Sequence, residues 1–178
     1  LLLVHELAGV PVVMFDLPGV GGSPRSMLWP SYRRYARLLM GLLDQLELQG
    51  PVHVAGVSWG SGLALQLARD HAARVDRLVL MAASHGWFMV PGKPSALRRM
   101  LTPQRYLSRN YMVANAGQLY GGAMAEASQH AVDFARLTRA PAALGYAQQL
   151  ASIAAFNALP WLHRVSSPAL VMAGNDDP

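Results

Sequence analysis

Ser58 sits in the run Gly56-Val57-Ser58-Trp59-Gly60, directly after the apolar stretch Val52–Val57 and just before the helix-forming stretch Leu63–Ala68. A serine hydroxyl is a weak nucleophile until it is held at a sharp turn and given a base. A serine between two glycines, with a strand before it and a helix after it, predicts that turn. The chain must swing from strand to helix within a residue or two. That strains Ser58 and lifts its hydroxyl clear of the sheet, while Gly56 and Gly60 leave room where strand and helix pass. The chemistry this arrangement suits is attack on an acyl carbon. The alternative is an ordinary Gly-Ser-Gly turn without chemistry, and the strand and helix flanks argue against it.

Such a serine needs a base, usually histidine, and the base needs a carboxylate to hold its tautomer and stabilise its cation. Asp177 closes a strand-like run, Pro168 to Ala173, and fits the acid. The expected chain order is serine, acid, histidine. His5, His53, His71, His85, His130 and His163 all precede Asp177, so none fits that order. His53 lies inside a strand and reads as a satisfied core histidine. His71 suits a helix C-terminus, where its charge is favourable. His85 and His163 flank the helical insertion described below and could approach the cleft.

The oxyanion formed on attack needs two N–H donors: the backbone of Trp59 and a second from an earlier strand–helix loop that this sequence does not contain. The Trp59 indole either walls the acyl pocket or packs beneath the insertion. Asp16 to Ser23 is glycine-rich but not a nucleotide loop, because Pro24 stands where the last glycine of Gly-x-Gly-x-x-Gly belongs. It reads as a tight turn shaping the rim of the site. The histidines lack ligand spacing, so no metal and no cofactor is expected.

Several elements must place these groups. Val10 to Phe15 reads as a buried strand closed by Asp16-Leu17-Pro18-Gly19. Ser31 can cap a helix with Tyr32, Tyr35, Leu39, Leu42 and Leu46 on one face, and Gly50-Pro51 stops it. The strand Val52–Val57, apolar apart from His53, should be covered on both faces. A helix to about Asp70 and a strand over Val75 to Ala82 follow. Strands alternating with helices imply a parallel sheet, with the site at its carboxyl ends.

From Ser84 to Arg164 the pattern becomes short helices broken by prolines, a cap or lid without a convincing strand. The expected organisation is an α/β core over 1–84, a helical cap over 85–164, and a strand with the acid over 165–178. The chain opens at Leu1 without methionine and stops at Asp176-Asp177-Pro178. It is expected to be a fragment lacking the first strands and the C-terminal strand–helix region. Alone, with open sheet edges, it should be inactive and poorly folded.

With 178 residues, 52% hydrophobic and 14% charged, the chain can bury one core. Its net charge of +5 is scattered. The groups Arg33-Arg34-Arg37 and Arg98-Arg99-Arg105 read as solvated helix faces rather than a nucleic-acid stripe. No run reaches the ~18 apolar residues of a membrane span. There are no cysteines, so no disulfides form.

Taken together, Asp16–Ser23, Gly56–Gly60 and Pro168–Pro178 resemble the α/β-hydrolase fold, with a mostly parallel sheet and a helical cap. A finer resemblance is to the intracellular depolymerases of medium-chain-length polyhydroxyalkanoates. The segments that carry it are the Ser58 pentapeptide, Val90-Pro91-Gly92-Lys93-Pro94, Leu119-Tyr120-Gly121-Gly122, Leu144-Gly145-Tyr146, Trp161-Leu162-His163 and Ala173-Gly174-Asn175-Asp176-Asp177-Pro178.

That resemblance implies Ser58 as nucleophile and Asp177 as acid, with Asp176 the near alternative. It also implies a polyester substrate cut to 3-hydroxyacyl units through an acyl-enzyme, and a cytoplasmic, granule-associated setting. Asn175 and Ser61 stand where aspartate and glycine are expected. Trp87, Phe88 and Met89 at the cap entry are the candidate polymer or granule contacts. A related synthase would carry cysteine at the elbow. Two rivals remain: a soluble carboxylesterase or thioesterase, and a non-catalytic granule-binding relative.

Overall fold

The computed structural model describes residues 9–24, 29–83, 85–86, 92–126, 128–137 and 143–177. Its centre is a parallel sheet of three strands in the order β1 (Val52–Val57), β2 (Val75–Met81) and β3 (Ala169–Met172). Register aligns Val57 with Met81, and Met81 with Met172, so all three strands end in one row.

Helix α1 (Tyr32–Gln45) begins where Ser31 accepts a hydrogen bond from the Arg34 N–H at 3.3 Å, the expected N-cap. It buries Tyr32, Tyr35, Ala36, Leu39, Met40 and Leu43. Helix α2 (Trp59–Asp70) lies between α1 and the sheet and is buried from Ser61 to Ala68. The core joins these residues to Val75, Leu78 and Leu80 of β2. Each large side chain taken fully out of water there contributes about 1.5–3 kcal/mol.

Burial alternates along β1, so Val52 and Val54 face α1 and α2 while His53, Ala55 and Val57 face outward. Among the described residues, helices cover one face of this sheet rather than two. His53 is therefore no core histidine. It lies exposed, with Nδ1 at 3.2 Å from Asp76 Oδ2 on the adjacent strand.

The stretch Val10–Phe15 also departs from expectation. It is not a strand, and Val10, Val12, Val13, Met14 and Phe15 are exposed. Alternating β-rich sequence becomes a strand only when a neighbour completes its backbone hydrogen bonds, and no described strand lies beside it.

From 94 to 154 the described chain is helical, comprising α3 (Pro94–Met100), α4 (Gln104–Leu107), α5 (Arg109–Tyr120), α6 (Gly122–Glu126), α7 (Ser128–Leu137) and α8 (Ala143–Ala154). A second small core of Met112, Ala116, Leu119, Ala131 and Ala135 joins α5 to α7. The two ends of this segment meet where Gly86 bridges Asn157 and the Ala158 N–H donates to the His85 carbonyl at 2.7 Å. Phe156, Ala158 and Trp161 then return to the main core.

Candidate active site

The parallel register brings the candidate groups to one rim. The Ser58 N–H donates to the Met81 carbonyl at 2.8 Å, and the Ala82 N–H donates to the Met172 carbonyl at 2.9 Å. Each ladder thus runs one residue past its strand. Both of these residues have positive φ, 52° at Ser58 and 48° at Ala82. Left-handed backbone at a residue bearing a side chain costs about 1–3 kcal/mol and must be held by its surroundings.

The geometry of the holding is visible. Gly56 passes so close to the first turn of α2 that a Cβ would overlap the Gly60 carbonyl and lie 2.7 Å from the Ser61 nitrogen. Gly60 itself has no such constraint, since a Cβ there would meet nothing within 4 Å. The crowding expected of both glycines falls on Gly56 alone.

Ser61 completes the clasp. It is fully buried, and its hydroxyl lies 2.7 Å from the Gly56 carbonyl and 3.0 Å from the Met81 carbonyl. One side chain thereby ties the helix start to two strand ends. The sequence marked this position only as a departure from glycine.

Ser58 is exposed and lines a cavity of about 400 Å³. Gly174, Asn175, Asp176 and Asp177 line the same cavity from the loop after β3. Asp177 is exposed, and its N–H turns back to the Gly174 carbonyl at 3.3 Å. Asp176 and Asp177 therefore both share the cavity with Ser58. None of the described histidines lines it.

Trp59 opens α2, so its backbone N–H has no acceptor within the helix. Its indole points away from the cavity. The ring packs on Tyr32 at 4.5 Å and Tyr35 at 5.5 Å between centroids, and its Nε1–H donates to the Gln149 carbonyl of α8 at 3.1 Å. Of the two readings of this side chain, the structure shows the packed one.

The cap touches the core through glycines. Gly121, with φ 62°, sits where a Cβ would overlap the Asp176 carbonyl, and a Cβ on Gly145 would overlap the Gly19 carbonyl. The Asp16–Ser23 turn is internally bonded, with the Gly22 N–H on Asp16 Oδ2 at 3.0 Å and the Ser23 hydroxyl on the Asp16 carbonyl at 2.7 Å. It supports α8 and does not line the cavity, contrary to the expected rim role.

Arg105 is the residue the sequence misplaced. It is half-buried on the cavity wall, not on a solvated face. Its guanidinium carbon lies 4.7 Å from the Tyr106 ring centroid and 5.8 Å from that of Tyr146, and Nη1 donates to the Tyr120 hydroxyl at 3.2 Å. Burial pushes the hydroxyls of Tyr106, Tyr120 and Tyr146 up from the ordinary tyrosine value, so they remain protonated and neutral. For Arg105 burial pulls downward, but the tyrosines outweigh it and the net shift is upward. A tyrosine sequence spaced over forty residues carries no local sign of this cage.

Trp87, Phe88 and Met89, the candidate polymer contacts, lie outside the described residues. Among the described residues, no helix is long and apolar enough to cross a membrane.

Residues 3–178 match the model of the alpha/beta hydrolase fold family. The chain is 40% identical over 167 residues to a poly(3-hydroxyalkanoate) depolymerase of Ectopseudomonas oleovorans, covering 94% of this chain and 59% of that protein. It therefore spans about three fifths of the length of this curated relative. Among solved structures, the enol-lactonase of Burkholderia xenovorans superposes with a TM-score of 0.71 at 20% identity, over 90% of this chain and 60% of its own. A hydrolase from Pseudomonas aeruginosa gives 0.65 at 23% identity, over 89% and 59%. These two likenesses are of fold.

Three substitutions probe the geometry in the intact protein. Gly56→Ala should lower stability by about 3 kcal/mol through backbone overlap, while Gly60→Ala should stay within about 0.5 kcal/mol; denaturant midpoints at constant slope decide. Gly121→Ala should displace the loop carrying Asp176 and Asp177, because a Cβ there would overlap the Asp176 carbonyl, and should lower stability by about 1–3 kcal/mol. An unchanged denaturant midpoint in that variant would show that the contact does not position the loop.

Proposed function

The chain belongs to the alpha/beta hydrolase fold family, and on that premise we propose that it carries the nucleophile and acid of a serine esterase acting on a medium-chain-length polyhydroxyalkanoate. The observation that carries the reading is Ser58: exposed, left-handed, at a strand–helix junction, on the same cavity as Asp177. The identity to a poly(3-hydroxyalkanoate) depolymerase supports the substrate class.

In this mechanism a histidine, placed after the acid in the chain order of the fold, takes the Ser58 proton as Oγ bonds to the ester carbonyl carbon. Asp177 holds that histidine and stabilises its cation. Asp176, on the same loop, is the alternative acid. The Trp59 N–H donates to the developing oxyanion. Collapse breaks the ester C–O bond, and the departing oxygen takes the proton from the histidine. Water then attacks the acyl-Ser58 carbonyl carbon and gives a proton to the same base; the acyl C–Oγ bond breaks, Ser58 Oγ takes that proton back, and a 3-hydroxy acid is released. The accessible apolar part of the wall, Val57 and Met100, would lie against alkyl side chains. The enzyme would work at the surface of storage granules in the cytoplasm.

In the intact protein, Ser58→Ala should cut polymer hydrolysis by about a thousandfold or more, and Asp177→Asn by about a hundredfold or more. Asp176→Asn should change it by several-fold at most. Release of 3-hydroxy acids from amorphous granules is the readout. Full hydrolysis by Ser58→Ala would end the proposal, and a larger loss in Asp176→Asn than in Asp177→Asn would exchange their roles. Turnover of short p-nitrophenyl esters without any release from granules would mark a soluble esterase instead.

A further inference from the structure

Arg105 brings a full positive charge to the wall of the Ser58 cavity without a counter-charge. Among the described residues no carboxylate lies within ion-pair distance of it. Its Nε–H is buried and has no acceptor. Its surroundings are the Tyr106 and Tyr146 rings and the Tyr120 and Tyr146 hydroxyls, all neutral groups. A cation taken partly out of water and left unpaired is unfavourable, and an anion that joins it recovers much of that cost.

The two carboxylates on the same lining, Asp176 and Asp177, are both exposed, so water screens their field at Arg105. Tyr120 faces the same cavity, accepts from Arg105 Nη1, and keeps its own O–H to donate. Exposed Val57 and half-buried Met100 line the same cavity with apolar surface. A fork of N–H donors, a phenol O–H and an alkyl-lined wall match a carboxylate attached to a hydrocarbon chain.

We propose that Arg105 and Tyr120 form a carboxylate-binding subsite in the Ser58 cavity, which takes the free acid end of a hydroxyalkanoate. The carboxylate can belong to the terminus of a polyester chain or to a released monomer, and the same donors serve both. This inference rests on the reading of that cavity as the esterase site. It goes beyond that reading in assigning a preference for free acid ends that hydrolysis of internal ester bonds does not require.

The test uses the intact protein in two arms. In the first, kcat/KM is compared for the ester-linked dimer of 3-hydroxydecanoate as free acid and as methyl ester. In the second, calorimetry measures binding of 3-hydroxydecanoate and of its methyl ester to the Ser58→Ala protein, where no turnover intervenes.

The free acid should be favoured about tenfold or more in at least one arm, as expected of a charge-assisted contact. A preference in the first arm alone assigns the chain terminus, in the second alone the monomer, and in both arms both ligands. Arg105→Met should bring the ratio close to one, and Arg105→Lys, which keeps the charge but loses the fork, should fall between. Equal handling of acid and ester by the unsubstituted protein in the first arm and by Ser58→Ala in the second overturns the proposal without need of any Arg105 variant. So does a ratio that survives Arg105→Met. If instead Ser58→Ala hydrolyses polymer normally, the esterase reading fails, while the binding arm still decides the subsite.

Discussion

The absence of a side chain at Gly56 lets the first turn of α2 press against the end of β1, and the rest of the site depends on that contact. With the two backbones so close, the chain has no room for a gradual turn, and Ser58 takes a left-handed conformation it would not adopt in isolation. Three interactions hold it there. Its own N–H extends the ladder to Met81, the buried Ser61 hydroxyl joins the helix to two strand ends, and Leu63 to Ala68 are sealed against the core. The result is a hydroxyl that stays exposed while the residues next to it in the helix are buried.

The same logic governs the cap. Its own core is small, with five buried residues between α5 and α7. Its position comes from close contacts to the body of the protein: Gly121 on the loop after β3, Gly145 on the Asp16–Ser23 turn, and the Trp59 indole on α8. Two of these contacts, those of Gly121 and Trp59, reach the Ser58 junction or the loop that shares its cavity. The cap is therefore mechanically joined to the first turn of α2 and to the loop after β3, and a shift of one is felt by the other because packed interiors do not deform smoothly.

The sequence was most legible where chemistry and geometry are local. The elbow, the capped helix after Ser31 and the three strands that form the sheet all follow from residues within a few positions of one another. Reasoning from local pattern went astray where the answer depended on a neighbour distant in sequence. Val10–Phe15 has the composition of a strand but lacks a described partner, and His53 has the setting of a core residue but lies on the open face. Arg105 looked like one of several surface arginines, and only its packing among Tyr106, Tyr120 and Tyr146 distinguishes it.

By itself the sequence determined that a serine would stand at a strand-to-helix turn and an aspartate at the end of a later strand. Glycine, serine and β-branched residues impose those backbone states over a handful of bonds. Only the tertiary structure decided that the two share a cavity, that Gly56 rather than Gly60 makes the room, that Trp59 braces the cap, and that a charged guanidinium faces the same space. Those outcomes depend on burial and on parallel register between segments far apart in the chain, and no local run of side chains encodes either one.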